Sequence, residues 1–143
     1  MPGQIDLRNT TCILDNGSVI DETNTLIVGG GQAGLAMSAH LQKCGTEHLI
    51  IEKDRVAERW RSARWDNLVM NGPAWHDRFP EMHFNNWHPD SFPDKDAVAS
   101  YFETFARQIN VPIHCGEEVT NVTRSQNGGF MVKTSRGLSL IHI

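Results

Sequence analysis

The chain has 143 residues, of which 39% are hydrophobic and 21% charged, a composition that builds one globular domain with a core and excludes a fibre or a disordered segment. Thirteen Lys and Arg stand against 17 Asp and Glu, for a formal net charge of −4. Without an excess of cations to neutralise a phosphate backbone, nucleic acid is not an expected partner.

Cys12, Cys44 and Cys115 are odd in number and far apart, matching neither a disulfide framework nor a zinc spacing, and they fit a reducing, cytoplasmic setting. The first residues lack a basic flank with an apolar run behind it, and no stretch approaches the roughly 18 apolar residues of a membrane span. An unexported protein without a membrane span is expected. In chain order, residues 11–14 read as a short strand and 15–18 as a turn, and no role is assigned to residues 1–22.

Leu26-Ile27-Val28 is a continuous apolar run, the pattern of a strand buried on both faces of a parallel sheet, and glycines end it at once. Residues 32–44 then place Ala33, Leu35, Ala36, Ala39 and Leu41 as the small and apolar positions of a helix packed closely on a sheet, with Gly45 at the C-terminal cap. His48-Leu49-Ile50-Ile51-Glu52 reads as a second buried strand. Strand, helix and strand of this length predict a βαβ unit.

Its first turn is Gly29-Gly30-Gly31-Gln32-Ala33-Gly34, a G-x-G-x-x-G between strand and helix. Gly29 is expected to make the tight turn, Gly31 to let the backbone approach a pyrophosphate, and Gly34 to let the helix lie against the strand. The anion then meets the N-terminal amides of the helix, beginning with Gln32 and Ala33, and the positive end of its dipole. Small Ser38 falls at the helix contact, and Glu52 ends the next strand about 20 residues on, where it is expected to accept hydrogen bonds from both ribose hydroxyls. That geometry suits an unphosphorylated ribose, hence FAD or NAD rather than NADP.

Residues 53–93 show no clear period, hold Trp60, Trp65, Trp75 and Trp87, and carry prolines at 73, 80, 89 and 93. So long a stretch without regular structure is functional or disordered, and its aromatic content points to an ordered excursion over the cofactor. Asp94 can cap a helix in which Val98, Tyr101, Phe102, Phe105, Ala106 and Ile109 share one face. Residues 111–114 predict a third parallel strand with its proline at the start. Residues 118–124 and 130–134 flank Gln126-Asn127-Gly128-Gly129 as a hairpin loop.

The βαβ unit alone does not choose between FAD and NAD. The order that follows it, a Trp-rich loop, a helix, a strand and a hairpin, resembles the FAD-binding domain of the glutathione-reductase-like flavoproteins. The expected fold is therefore α/β: a Rossmann-like FAD-binding domain of the glutathione-reductase type, a parallel sheet plus a β-meander, incomplete within these residues. Its expected bounds are residues 23–137.

At residues 57–62, Arg64-Trp65-Asp66-Asn67-Leu68, Asn71-Gly72-Pro73-Ala74-Trp75, Phe79-Pro80, Phe92-Pro93-Asp94-Lys95 and Val119-Thr120-Asn121-Val122, the chain resembles the flavin-containing monooxygenase superfamily. Within it, the likeness is greatest to bacterial flavoproteins filed as putative potassium-transport or cation-efflux oxidoreductases. The resemblance covers residues 25–137. It implies FAD bound here, NADPH bound at a second dinucleotide site in a C-terminal part, molecular oxygen as a co-substrate, and a small-molecule substrate oxygenated at nitrogen, sulfur or a carbonyl. It further implies that Gly29, Gly31 and Gly34 hold the pyrophosphate, Glu52 the adenosine ribose, Trp60 the flavin half, and Val119 the adenine through its backbone. Where the superfamily commonly has two glycines before that tryptophan, this chain has Ala57 and Glu58.

His76, His83 and His88 share one loop, but no cysteine or paired acid adjoins them at ligand spacing, so no metal is predicted. No cysteine lies between Cys44 and Cys115, which disfavours disulfide reductase chemistry. The leading expectation is an FAD-dependent, NADPH-using oxidoreductase, most simply a monooxygenase, of which these 143 residues alone would be inactive. The alternatives are a flavin oxidoreductase without oxygenation, and a dinucleotide-binding regulator linked to ion transport. A second G-x-G-x-x-G downstream separates the enzymes from the regulator. Substrate and oligomeric state are not encoded in any motif found.

Residues 138–143 read as an apolar strand after the turn at Ser135-Arg136-Gly137, but they are also the in-frame translation of CTGTCTCTTATACACATC, a transposon-end adapter of sequencing libraries. A native sequence that departs from Leu138-Ser139-Leu140-Ile141-His142-Ile143 after Gly137 is therefore expected. Sequencing across that junction in genomic DNA amplified without such adapters checks it, and native codons for those six residues would refute it.

Overall fold

The computed structural model describes residues 11–13, 19–126 and 128–141. β1 (Thr11–Ile13) pairs antiparallel with β2 (Val19–Thr23), a strand with no counterpart in the sequence reading. The expected turn at 15–18 lies outside the described residues.

The parallel unit follows. β3 (Leu26–Val28) runs into α1 (Gln32–Lys43), and β4 (Leu49–Glu52) returns parallel to β3, with Leu26 opposite Leu49 and Val28 opposite Ile51. α1 starts at Gly31, whose extended backbone suits an N-cap, and ends where Gly45 takes φ +67. There the Gly45 and Thr46 amides donate to the Gln42 and Leu41 carbonyls, satisfying groups that a helix end leaves open. Gly34, Leu35, Ser38 and Ala39 form its buried face. Ser38 and His48, both buried, join side chains at 2.7 Å and so pin α1 to the start of β4, while the His48 ring also meets the Thr46 carbonyl.

The expectation that residues 26–28 are covered on both faces needs correction. Leu26 and Ile27 are only half-buried and Val28 is 61% exposed, because β4 is the one neighbour of β3 among the described residues. Ile50 and Ile51 of the central β4 are closed off from solvent. An apolar run reports that a strand has cover to find, not how much of it a given stretch of chain supplies.

Residues 53–93 are also more regular than their lack of period suggests. α2 (Glu58–Ser62) is a short helix entered through Ala57, which holds φ 62 in the left-handed region. That is where the superfamily's glycine would be at no cost, and the Ala57 methyl, itself buried, bears about 1 kcal/mol of strain there. The remainder is irregular but tied down. α3 (Lys95–Gln108) is capped as expected by Asp94, whose carboxylate accepts from the Ala97 amide at 2.8 Å. Its face of Val98, Tyr101, Phe102, Phe105 and Ala106 is buried, with Phe79 stacked on Phe105 at 4.1 Å and Phe84 on Tyr101 at 3.8 Å. Arg61 of α2 pairs with Glu103 of α3 at 2.6 Å.

β5 (Ile113–Cys115) completes the order β3-β4-β5, parallel throughout. β6 (Val119–Arg124), β7 (Phe130–Thr134) and β8 (Leu138–Ile141) form the antiparallel meander, and β8 also pairs parallel with β2, giving a second sheet in the order β1-β2-β8-β7-β6. Strand geometry at 138–141 uses main-chain groups that any residue carries, so it is equally open to a native and an adapter-encoded tail. No helix among the described residues is long and apolar enough to cross a membrane.

One hydroxyl fastens the irregular loop to α3. Buried Tyr101 accepts from the Phe79 amide and donates to the Met82 carbonyl, both at 2.8 Å, and its burial raises the phenol above its usual pKa. Tyr101→Phe strands both main-chain groups and is expected to cost about 1–3 kcal/mol. Urea denaturation of the complete protein measures it; an unmoved midpoint would show that water replaces the hydroxyl.

Candidate dinucleotide site

Gly29 closes the turn after β3 at φ +98 while its amide donates to the Ile51 carbonyl at 2.8 Å, keeping the turn on the central strand. A Cβ on Gly34 would stand 2.0 Å from the Gly29 carbonyl oxygen and 3.3 Å from an Ile27 methyl, so the close approach of α1 to β3 requires glycine there. Gly31 is the opposite case. Its Cβ would meet nothing within 4 Å, because the residue faces open space. No side chain caps α1 and no acid occupies its first turn, so its amides and the positive end of its dipole are unopposed.

These residues open onto a cavity of about 580 Å³ lined by the glycine turn, by Glu52 at the end of β4, by Trp60 and Arg64, and by Glu118 and Val119 at the start of β6. Of the positions singled out from sequence, Gly29, Gly31, Gln32, Glu52, Trp60 and Val119 line it. Gly34 supports it from behind, and Ala33 is exposed outside the lining. Trp60 stands edge-on to Phe102 at 6.2 Å with the Arg64 guanidinium 5.4 Å from its ring centroid. The wider Trp-rich loop does not cover the cavity: Trp65 and Trp75 are 66% and 54% exposed, and Trp87 is half-buried against the core.

Both Glu52 oxygens already hold a main-chain donor. Oε2 accepts from the Gly30 amide at 2.6 Å and Oε1 from the Asp54 amide at 2.9 Å. An ionised carboxylate offers about four acceptor directions, so each oxygen keeps one for another donor. The strand end beneath is clamped by Glu117 N–H to the Glu52 carbonyl and Gly116 N–H to the Asp54 carbonyl.

Sequence reasoning passed over Gly30 and the lining cations Lys53, Arg55, Arg59 and Arg64. Arginines spaced around Trp60 were the available signal; nothing in a G-x-G-x-x-G marks its variable second position. Arg55 pairs with Glu58, which raises the guanidinium and lowers the carboxyl from their usual values. His76, His83 and His88 each meet a different neighbour: Asp77, Arg78 and the Asp90 amide respectively. Among the described residues, no three metal-ligating side chains converge.

A parallel sheet with a helix returning between its strands and an antiparallel meander beside it define an α/β domain of the glutathione-reductase type. The chain belongs to the pyridine nucleotide-disulphide oxidoreductase family, whose model matches residues 26–140. An uncharacterized CzcO-like oxidoreductase of Geobacillus kaustophilus is 34% identical over 115 residues, 80% of this chain and 32% of that protein. The probable indole-3-pyruvate monooxygenase YUCCA1 of Arabidopsis thaliana is 32% identical over 111 residues, 76% of this chain and 27% of that protein. The flavin-containing monooxygenase of Stenotrophomonas maltophilia shares the fold with TM-score 0.74 at 21% identity, covering 85% of this chain and 37% of that one. The chain thus spans about a third of the curated relatives' length, and the likeness to flavin monooxygenases and to bacterial oxidoreductases expected from its motifs holds.

The two glycines are separable by stability. Gly34→Ala is expected to cost at least about 3 kcal/mol, because backbone must move to admit the methyl. Gly31→Ala is expected to stay within about 1 kcal/mol, the difference between glycine and alanine at an N-cap. Denaturant unfolding of both variants checks this, and equal losses would mean that α1 does not lie on β3 through Gly34.

Proposed function

We propose that the chain is the FAD-binding portion of an NADPH-using flavoprotein oxidoreductase, and that the whole protein is a monooxygenase acting at nitrogen, sulfur or a carbonyl of a small molecule. The observation that carries this is the joining, in one cavity, of an uncapped helix N-terminus, a glycine turn open at Gly31 and a backbone-held Glu52. The first two suit a pyrophosphate, the third a ribose with both hydroxyls free. Gly31 leaves open space that a side chain would fill, so the residues present fit the group.

In this reading Gly31, Gln32 and Ala33 present main-chain amides to the pyrophosphate, with Gly29 making the turn beneath it, its own amide held by the Ile51 carbonyl, and Gly34 setting the angle of the helix that carries them. Glu52 takes the adenosine ribose, Val119 the adenine, and Trp60, steadied by Arg64, shields the flavin half from water. Bound FAD supplies the redox chemistry, and the protein supplies orientation and exclusion of solvent. NADPH belongs to a site in the part of the protein beyond this chain, molecular oxygen to the same closed space, and the cytoplasm to the setting, in keeping with exposed, free Cys44 and Cys115.

The complete protein is expected to purify with FAD, to carry a second G-x-G-x-x-G, and to consume NADPH in air with amines or sulfides. Glu52→Ala should weaken FAD by about 10 to 100-fold, as for loss of a charged acceptor, and Gly31→Val should abolish flavin retention. These 143 residues with added FAD should consume no NADPH above free flavin. A complete protein that holds FAD but never oxidises NADPH would favour the regulator; one that holds no flavin would remove the proposal.

A further inference from the structure

Gly30 occupies a variable position of the glycine motif, yet it is buried and its amide donates to Glu52 Oε2 at 2.6 Å. The space beside it is closed. A Cβ there would stand 2.8 Å from Ile113 Cδ1 and 3.3 and 3.4 Å from Glu52 Cβ and Cγ. The first contact is with the end of a flexible side chain, which can rotate away. The other two are with the stem of the carboxylate, and a methyl at position 30 therefore pushes the acid itself. Gly30 is not forced by its own dihedral, since it is absent from the positive-φ glycines. Its constraint is the approach of Glu52.

We propose that Gly30 is a positioning residue for ribose selection: its amide and its lack of a side chain fix the Glu52 carboxylate so that the remaining acceptor directions meet the two hydroxyls of an adenosine ribose. This deepens the proposed function and rests on the dinucleotide reading of the cavity. A strand-end glutamate otherwise samples several rotamers, and ordering it on binding would weaken the complex. Here two main-chain donors, from Gly30 and Asp54, order it beforehand, and the clamp of the Gly116 and Glu117 amides fixes the strand from which it projects. A charge-assisted bond from a buried amide is the stronger kind.

The test uses the complete apoprotein and two probes: FAD, and a flavin dinucleotide whose adenosine ribose lacks both hydroxyls, with each Kd read from flavin fluorescence. The wild type is expected to prefer FAD by about 10 to 100-fold. Gly30→Ala should shrink that preference to about threefold or less by weakening FAD alone, leaving the dehydroxylated probe unchanged. Gly30→Ala/Ile113→Val carries the same comparison if the single variant does not fold, because it removes the Ile113 Cδ1 contact and keeps the methyl against Glu52. Equal weakening of both probes, or an undiminished preference, would overturn the proposal by making Gly30 a packing residue. A wild type that binds FAD without preferring the hydroxyls overturns it while sparing the proposed function, whereas a wild type that binds neither probe removes both.

Discussion

Only a hydrogen atom fits between α1 and the Gly29 carbonyl at position 34, and the direction of the helix follows from that contact. Pressed onto the turn, α1 points its uncapped end along the cavity, and its buried face of Leu35, Ser38 and Ala39 meets the sheet and α3. Were the helix a methyl radius farther out, its amides would still be free, but they would not converge with Glu52 on one volume. Anion binding by a helix end is generic; under the proposed function, what would make it a site here is the distance to the neighbouring strand.

That distance was legible in the sequence, because a glycine motif between an apolar run and a helical pattern encodes it. So were α1, β4, the Asp94 cap with the aromatic face of α3, and the β6–β7 hairpin, each specified by short-range chemistry: a cap, a turn glycine, a period. The failures share a different cause. Exposure of Val28 depends on how many strands flank β3, α2 begins at a left-handed alanine that no propensity favours, and β2 pairs with β8 across more than a hundred residues. Tertiary partners decide all three, and a local pattern does not carry them. Gly30 was missed for the same reason, since its neighbour Glu52 is close only once the sheet has formed.

The irregular stretch from 63 to 94 shows how a loop of this length can be ordered without a ladder. Phe79 and Phe84 lie on Tyr101 and Phe105 of α3, the Tyr101 hydroxyl takes up two main-chain groups, and an isolated antiparallel bridge between Val69 and Asp94 ties the two ends of the stretch together. Aromatic stacking and one buried hydroxyl thus stand in for secondary structure. The price is that Trp65, Trp75 and Phe92 are exposed, and of the tryptophans that suggested a roof over the cofactor, Trp60 lines the cavity while Trp65, Trp75 and Trp87 do not.

The outer side of β3 has a different consequence. Among the described residues β3, made of leucine, isoleucine and valine and half open to solvent, pairs on one side, and a strand edge of that kind offers main-chain groups to whatever approaches in register. Such an edge does not distinguish a strand of its own molecule from a strand of another, because the ladder is written in backbone and not in side chains. For as long as it stays uncovered, intramolecular closure competes with self-association, and protein concentration becomes one of the variables that decide which state the polypeptide reaches.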